Sequence, residues 1–560
     1  MATTIEPSLV NIAAHLPAVA RQRPYAMAVV HPERRTRHGR VCYSHLTYQQ
    51  LNDASDVIAR GLLDLGVGRG TRTVLMVKPC VEFFSLTFAL FKVGAVMIGI
   101  DPGMGVRNLG KCLREAEPEA FIGIRAAHIA RRLLGWGRRT IRTKVLVGPN
   151  AGLPTGATRL QAVRDRGAAL TGTPLAATSA DEVAAILFTS GSTGAPKGAV
   201  YTHANFEAQV NELRTTYDIE PGEIDLTTFP LFALFAPALG MTAIVPEMDF
   251  TQPARVDPRK IAQAIEDFGV TNLFGSPALL NRVARWGEPR GVKFPSLRRV
   301  ISAGAPMPAS VLEQFTSLLR NKVQVFTPYG ATESLPVASI GSHEVLTETR
   351  MLTERGQGVC VGRAVGGISI HVIHICDESI ARWSPNLLVK PGEIGEIVVR
   401  GPVVTREYHG RPESTRLAKI VSDDGGIYHR MGDVGYLDRQ DRLWFCGRKS
   451  HRVVRDDETL FTIPVEAVFN THPDVFRSAL VSLQKGTHTV EPALCVQLES
   501  EALRKDPAVI RRELLEIGTT FKHTRSIRKI FFHKDFPVDP RHNAKIHREE
   551  LARWASRQRS

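Results

Sequence analysis

Cysteine is scarce and scattered: seven in 560 residues, at positions 42, 80, 112, 360, 376, 446 and 495, with no Cys-x-x-Cys pair. That pattern points away from a disulfide framework and toward reduced thiols in a cytoplasmic protein. The first 24 residues lack both a basic leader and a continuous apolar core, so no signal peptide is expected. No internal repeat is visible. Long hydrophobic runs are missing as well, apart from residues 83–100, which Ser85, Thr87, Lys92 and Gly94 interrupt. A buried helix followed by a buried strand accounts for that stretch better than a membrane span does. Acid is the scarcer charge: 56 Asp and Glu against 71 Lys and Arg leave a formal charge of +15. The excess favours an anionic partner, whether a nucleotide, an acidic lipid surface, nucleic acid or an acidic protein. The interleaved basic and aromatic residues of a nucleic-acid platform do not stand out, so nucleic acid is not expected.

What is present reads as a multidomain soluble chain, 43% apolar and 23% charged. Thr47 is placed to cap an amphipathic helix carrying Leu51, Ala54, Ile58, Leu62 and Leu65, and residues 73–77 read as a strand. Helices and short β-branched runs go on alternating through residues 95–100, 120–124, 144–147, 270–274 and 299–302, which is an α/β layer pattern. Residues 125–144 carry seven Arg and Lys around Ile129, Leu133, Leu134 and Trp136. They suit an amphipathic helix against acidic lipid or a partner, or simply a solvated basic face. Residues 152–181 read as a surface connection rich in Gly, Ala and Thr. Alternation at 369–375 and 393–400 suits a small antiparallel sheet or barrel. His371 and His374 are three apart on that strand pattern and face opposite sides, so zinc is not expected. A boundary at Gly447-Arg-Lys-Ser-His451 divides the chain into residues 1–446 and a small α+β domain, 447–560.

The chemistry centres on Leu187-Phe-Thr-Ser-Gly-Ser-Thr-Gly-Ala-Pro-Lys-Gly198. A Ser/Thr/Gly turn between an apolar strand and a helical pattern leaves backbone N–H groups free to receive phosphate oxygens, and Lys197 adds a point charge. The spacing is not that of a Walker A loop. A flexible linker would not be framed so closely by apolar segments.

The order of residues resembles the phosphate-binding loop of the adenylate-forming superfamily, and further segments resemble its other motifs. Tyr329-Gly-Ala-Thr-Glu333 is similar to the adenine and magnesium motif, and Ser302-Ala-Gly-Ala-Pro306 to the small-residue wall opposite the adenine ring. Tyr428-His-Arg-Met-Gly-Asp433 is similar to the ribose-binding segment, with Arg448 beside it, and Asn543-Ala-Lys-Ile-His-Arg548 to the segment of the catalytic lysine. The resemblance implies a large N-terminal region of two α/β layers plus a small β-barrel, meeting a small mobile α+β C-terminal domain at a hinge on Ser450. It implies ATP and Mg²⁺ as cofactors. Thr189, Ser190, Gly191, Ser192, Thr193, Gly194 and Lys197 would bind phosphate, and Gly304, Ala305, Pro306, Tyr329, Gly330 and Thr332 the base and its phosphates. Asp433 and Arg448 would take the ribose, Glu333 and Thr189 the metal, and Lys545, Glu333 and Lys197 would be catalytic.

The departures narrow the acceptor. Where coenzyme A ligases carry a glycine turn that lines the pantetheine tunnel, this chain has Glu458 and Thr459. Ala544 replaces the glycine before the catalytic lysine. With Ala233 where many acyl-activating members carry histidine, Phe229, Phe232 and Ala233 suggest a roomy apolar pocket. Thr228-Phe-Pro-Leu-Phe-Ala-Leu-Phe235, Leu273-Phe-Gly-Ser-Pro277 and Gly447-Arg-Lys-Ser-His-Arg452 resemble the β-lactone synthetases of bacterial long-chain olefin and β-lactone biosynthesis. That resemblance implies adenylation of a long-chain 2-alkyl-3-hydroxy acid, whose own 3-hydroxyl then expels AMP. It also implies possible partners of one pathway: a thiolase-like condensing enzyme, a reductase and a hydrolase. His203, His451 and His542 are candidates for taking the hydroxyl proton. The rival readings are an acyl-CoA or acyl-carrier ligase and a non-catalytic basic scaffold meeting a membrane or an acidic partner.

Overall fold

The computed structural model describes residues 9–149, 156–188, 196–230, 234–485, 489–538 and 546–558. Among these, two large sheets hold the N-terminal four-fifths of the chain. The first has seven strands, in the spatial order Thr158–Arg159, Thr143–Val147, Ala120–Ile124, Arg72–Met76, Val96–Gly99, Val183–Phe188 and Gly198–Thr202. All pairs are parallel except the last, in which Gly198–Thr202 runs back against Val183–Phe188 with Phe188 opposite Gly198.

Helices cover this sheet because their apolar residues recur at helical spacing. Thr47 caps the helix Tyr48–Asp64 in a reciprocal box with Gln50, as its sequence predicts. The apolar run at 83–100 is the buried helix Val81–Lys92 followed by the buried strand Val96–Gly99. Lys92, the charge inside that run, is itself buried. Its ammonium donates to Asp56 Oδ1 at 2.6 Å, Ser55 Oγ at 2.8 Å and Asn52 Oδ1 at 2.9 Å. A buried cation needs this degree of satisfaction.

One expectation is corrected here. Residues 152–181 are more than a surface connection, because they contain the helix Leu160–Ala168, packed on Tyr48–Asp64. The small residues that read as loop are there for close approach: a Cβ on Gly167 would lie 1.8 Å from the Val57 carbonyl oxygen, and one on Gly61 2.0 Å from that of Val163. A second expectation is shortened. The helical pattern at 125–144 ends at Leu133, and a turn leads into Thr143–Val147.

The second sheet has fourteen strands among the described residues. Its parallel part comprises Met27–Arg35, Ile224–Thr227, Thr242–Ile244, Asn272–Gly275, Arg299–Ser302 and the start of Gln324–Ala331, with Val41–Thr47 antiparallel at its edge. Antiparallel strands from Ser334–Gly341 to Leu443–Arg448 extend it. A turn at Lys449–His451 then leads to the C-terminal sheet of Val475–Lys485, Thr489–Leu498 and Lys529–Phe532, flanked by the helices Thr462–Phe469, Pro507–Thr519 and Arg548–Ala555. The architecture is the mixed α/β arrangement expected. No helix among the described residues is long and apolar enough to cross a membrane.

Candidate active site

Both large sheets turn the carboxyl ends of their parallel strands toward one cavity of about 1700 Å³. Met76, Gly99, Ile124 and Phe188 end strands of the first sheet there, and Thr228, Ser276, Ala303 and Gly304 follow strands of the second. Ligands of open α/β sheets bind at such edges, where loops rather than strands supply side chains. Of the residues singled out in the sequence, Lys197, Phe229, Gly304, Gly330, Thr332, Glu333, Arg448 and Ser450 line this one cavity. Tyr329 and Asp433, joined by a hydrogen bond, do not line it but adjoin the lining residues Gly330 and Gly432, while Ala305 and Pro306 continue the turn beyond Gly304. Thr189 to Gly194, Phe232, Ala233, His542 and Lys545 lie outside the described residues.

The charged end is a linked set. The Tyr408 hydroxyl donates to Glu333 Oε1 at 2.6 Å, and the Lys197 ammonium sits 5.1 Å from the centre of the Tyr408 ring. Lys419 approaches the same ring at 6.0 Å and donates to the Thr405 carbonyl oxygen. Burial pushes the Lys419 ammonium down to about 7, and the negative charge of Glu333 opposes that shift. Thr405 in turn donates its backbone N–H to the Glu333 carbonyl oxygen at 2.9 Å. Arg411 pairs with Glu115 at 2.6 Å and thereby ties the helix Val106–Ala116 to the segment that carries Tyr408.

Asp433 is buried. Its Oδ2 accepts from the Tyr329 hydroxyl at 2.6 Å, while Oδ1 lies 3.0 Å from Arg448 Nη1 and accepts no aligned hydrogen bond among the described residues. Burial raises the carboxyl above its ordinary range, against the pull of Arg448 and the Tyr329 hydroxyl. A buried acceptor with an open lone pair, one residue from the lining Gly432 and beside the lining Arg448, fits a hydroxyl donor such as a ribose. Glu333 offers a carboxylate at the cavity wall, the hard oxygen donor that suits a magnesium ion.

Below this end, Glu396 is fully buried between two cations, Arg430 at 2.7 Å and Lys449 at 3.1 Å. Lys449 also donates to the Cys376 carbonyl oxygen at 2.7 Å, which anchors the residue just before Ser450.

The candidate bases separate. His203 is a core side chain and not a cavity residue, which corrects its candidacy: its Nδ1 accepts from the Ile12 N–H at 3.3 Å, its ring meets Phe91, and burial pushes it down to about 4. His451 is likewise pushed to about 4 by burial and faces Glu549 of the last helix at 3.7 Å. The wall instead carries His429, whose Nδ1 is 3.2 Å from the Ala418 carbonyl oxygen. Donation to a carbonyl puts the proton on Nδ1 and leaves Nε2 as an acceptor. Burial and the cations Lys419, Lys197 and Arg448 keep this imidazole neutral.

Sequence reasoning missed His429, Tyr408, Lys419 and Arg411. Lys419 carries a faint signal, since it interrupts a strand-like apolar run, yet its neighbours Leu417 and Val421 are the exposed ones.

Away from the charges the wall is apolar and draws on two separate hydrophobic clusters. Phe206, Leu213, Phe229 and Phe274 belong to one, and Leu109, Ile98 and Trp136 to the other. Phe229 thus falls where a pocket residue was expected. Residues 455–458 close a short hairpin of Val453–Val454 and Thr459–Leu460. Arg455 is tied to Glu458 at 2.7 Å, so the turn is held by its own side chains.

A charged end joined to an apolar hollow, at the strand ends of this fold, is the arrangement that activation of an apolar acid requires. The chain belongs to the AMP-binding enzyme family, which matches it over residues 17–409. It is an adenylate-forming ligase that uses ATP. It is 48% identical to the olefin β-lactone synthetase of Xanthomonas campestris pv. campestris, over 99% of this chain and 98% of that one. It is also 48% identical to the protein of the same name from Stenotrophomonas maltophilia, over 98% of each. Among solved structures it is similar to the amide bond synthetase McbA of Marinactinospora thermotolerans, with a TM-score of 0.77, 22% identity, and coverage of 97% of this chain and 99% of the other. An anthranilate CoA ligase in complex with anthranoyl-AMP gives a TM-score of 0.78 at 18% identity, over 99% of each chain.

Proposed function

We propose that the chain adenylates a long-chain 2-alkyl-3-hydroxyalkanoic acid and closes it to a β-lactone, releasing pyrophosphate and AMP. The observation that carries this reading is the cavity of about 1700 Å³, whose charged end opens onto apolar walls from two hydrophobic clusters. A 2-alkyl acid has two chains to bury beside one carboxylate, and the volume exceeds the roughly 300–1,000 Å³ of an ordinary ligand site. The two 48%-identical relatives carry the matching name. The tied turn at Glu458 and Thr459 favours an internal acceptor over a thiol arriving through a tunnel.

In this reading the acid's carboxylate attacks the α-phosphate of ATP and pyrophosphate leaves. Thr189 to Gly194 cradle the phosphates with their backbone N–H groups, while Lys197 and Lys545 neutralise charge that develops on oxygen. Tyr329, Gly304, Ala305 and Pro306 hold the base, and Asp433 with Arg448 the ribose. Glu333 and Thr189 would hold Mg²⁺, which when bound supplies charge neutralisation between the phosphates. The substrate's 3-hydroxyl then gives its proton to the free Nε2 of the neutral His429 on the wall, its oxygen bonds to the acyl carbon, the carbon–oxygen bond to AMP breaks, and AMP leaves with the electron pair. Holding the hydroxyl beside the carbonyl provides the effective concentration that ring strain demands. Residues 447–560 act as a lid hinged at Ser450 that brings Lys545 to the carboxylate. The enzyme acts in the cytoplasm, beside a condensing enzyme, a reductase and a hydrolase that supply the acid and consume the lactone.

Product analysis by NMR, with Mg·ATP and a synthetic 2-alkyl-3-hydroxy acid in the absence of CoA, tests this. A β-lactone with stoichiometric AMP is expected. A thioester formed only when CoA is added would return the chain to the acyl-CoA ligases.

A further inference from the structure

Residues 131–139 read Arg-Arg-Leu-Leu-Gly-Trp-Gly-Arg-Arg, two arginine pairs around two leucines and a tryptophan. The structure sends these apolar residues in opposite directions. Trp136 is buried and lines the cavity, while Leu133 is 79% and Leu134 49% exposed. Two left-handed glycines make the reversal: Gly135 has φ +66° and Gly137 φ +58°, and a Cβ on Gly137 would lie 2.3 Å from Ile141 Cδ1. Trp136 packs against the neighbouring helix Val106–Ala116, its Nε1 3.2 Å from where a Cβ on Gly110 would stand. The first residue of that helix, Val106, lines the same cavity and is 55% exposed.

The charge on this surface has one sign in excess. Arg138, Arg139 and Arg142 are exposed on the turn, and Arg107, Lys111 and Arg114 on the helix. The single acid of that helix, Glu115, is held by Arg411. Exposed leucines ringed by cations, at the surface end of an apolar cavity wall, complement an anionic bilayer: the leucines meet acyl chains and the arginines meet headgroup phosphates. A solvated basic face explains the arginines and leaves Leu133 and Leu134 unexplained.

We propose that the 131–139 turn, with the start of the helix Val106–Ala116, docks on an anionic lipid bilayer, and that the acyl chains of the substrate pass from the bilayer beside Trp136 into the cavity. The docking rests on the surface geometry and not on the lactone reading. A long-chain acid partitions into membranes, so a mouth placed there shortens its path through water.

The test is co-sedimentation of the full chain with phosphatidylcholine vesicles, with and without roughly one-third phosphatidylglycerol. The wild type is compared with L133S/L134S and with R138E/R139E. Binding to the anionic vesicles, weakened at least about tenfold in both variants and by salt, is the expected result. Unchanged thermal midpoints, expected for exposed positions, separate docking from folding. No binding by the wild type at low salt, or equal binding by the variants, overturns the proposal. Retention on poly-glutamate without vesicle binding, lost in R138E/R139E, also overturns it and assigns the face to an acidic protein. No turnover is measured, so failure of the lactone chemistry leaves these outcomes readable.

Discussion

The two ends of the cavity hold their shape in different ways. At the charged end Tyr408 fixes Glu333, Thr405 fixes Lys419, and Glu396 fixes both Arg430 and Lys449. Along the apolar walls Phe206, Phe229, Leu109 and Trp136 are placed by packing inside clusters that extend well beyond the site. Directional bonds demand particular atoms at particular distances, whereas packing demands mainly volume. The charged end should therefore tolerate almost no substitution, while the walls should accept change and return altered selectivity.

The sharpest way to break that contrast is Glu396→Ala. It leaves Arg430 and Lys449 buried without their shared counter-charge, and a loss of about 3–5 kcal/mol is expected. Thermal unfolding measures it, and a midpoint within a degree of wild type would mean that the pair is dispensable. Next in size, Lys197→Ala should lower kcat/KM for pyrophosphate release by about 10²–10³ with little change in stability. A loss below about fivefold would remove Lys197 from the phosphate end.

His203 tests the apolar side, because its ring meets Phe91, which in turn meets Phe206, and it is not on the wall. In the fold it titrates at about 4, and in the unfolded chain near the ordinary 6.5. Its folded pKa is depressed, so the unfolded state binds the proton first as pH falls. The stability that it contributes is whole above pH 6.5 and is lost toward pH 4, by about 3 kcal/mol. Urea unfolding across that window should show the loss, and His203→Gln, though less stable at neutral pH, should show a flatter profile. The smallest effect is expected on the wall itself, where Ala130 lines the cavity against the cluster of Leu109 and Trp136: Ala130→Phe should lower kcat/KM for long-chain acids by about tenfold and spare short ones. An equal loss on both would show that the wall is as intolerant as the charges.

Local chemistry was legible in the sequence where one segment carries the whole signal. The strand Val183–Phe188, the Thr47 cap and the helix-then-strand reading of residues 83–100 each rest on neighbouring residues. Parts of the site that assemble from distant segments were not legible. Tyr408 looks like any tyrosine until the fold sets it between Lys197 and Glu333, and Lys419 looks like a surface charge although it is buried. The error at residues 152–181 has a similar source, because Gly167 signals a loop when read alone and a close helix contact when Val57 stands beside it. His203 shows the converse, a histidine near the central loop that the fold turns into the core.

The strand Gly198–Thr202, which follows Lys197, carries a consequence for the order of synthesis. Its outer edge is completed by residues 407–409: the Val200 N–H donates to the Glu407 carbonyl oxygen at 3.1 Å, and the His409 N–H donates to that of Gly198 at 2.8 Å. Those residues leave the ribosome roughly two hundred positions later, some ten to forty seconds at about 5–20 residues per second. Through that interval the nascent strand has one finished edge and one bare edge, and a bare edge invites pairing with a foreign chain. Translation past residue 409 both supplies Tyr408, the partner of Glu333, and closes that edge.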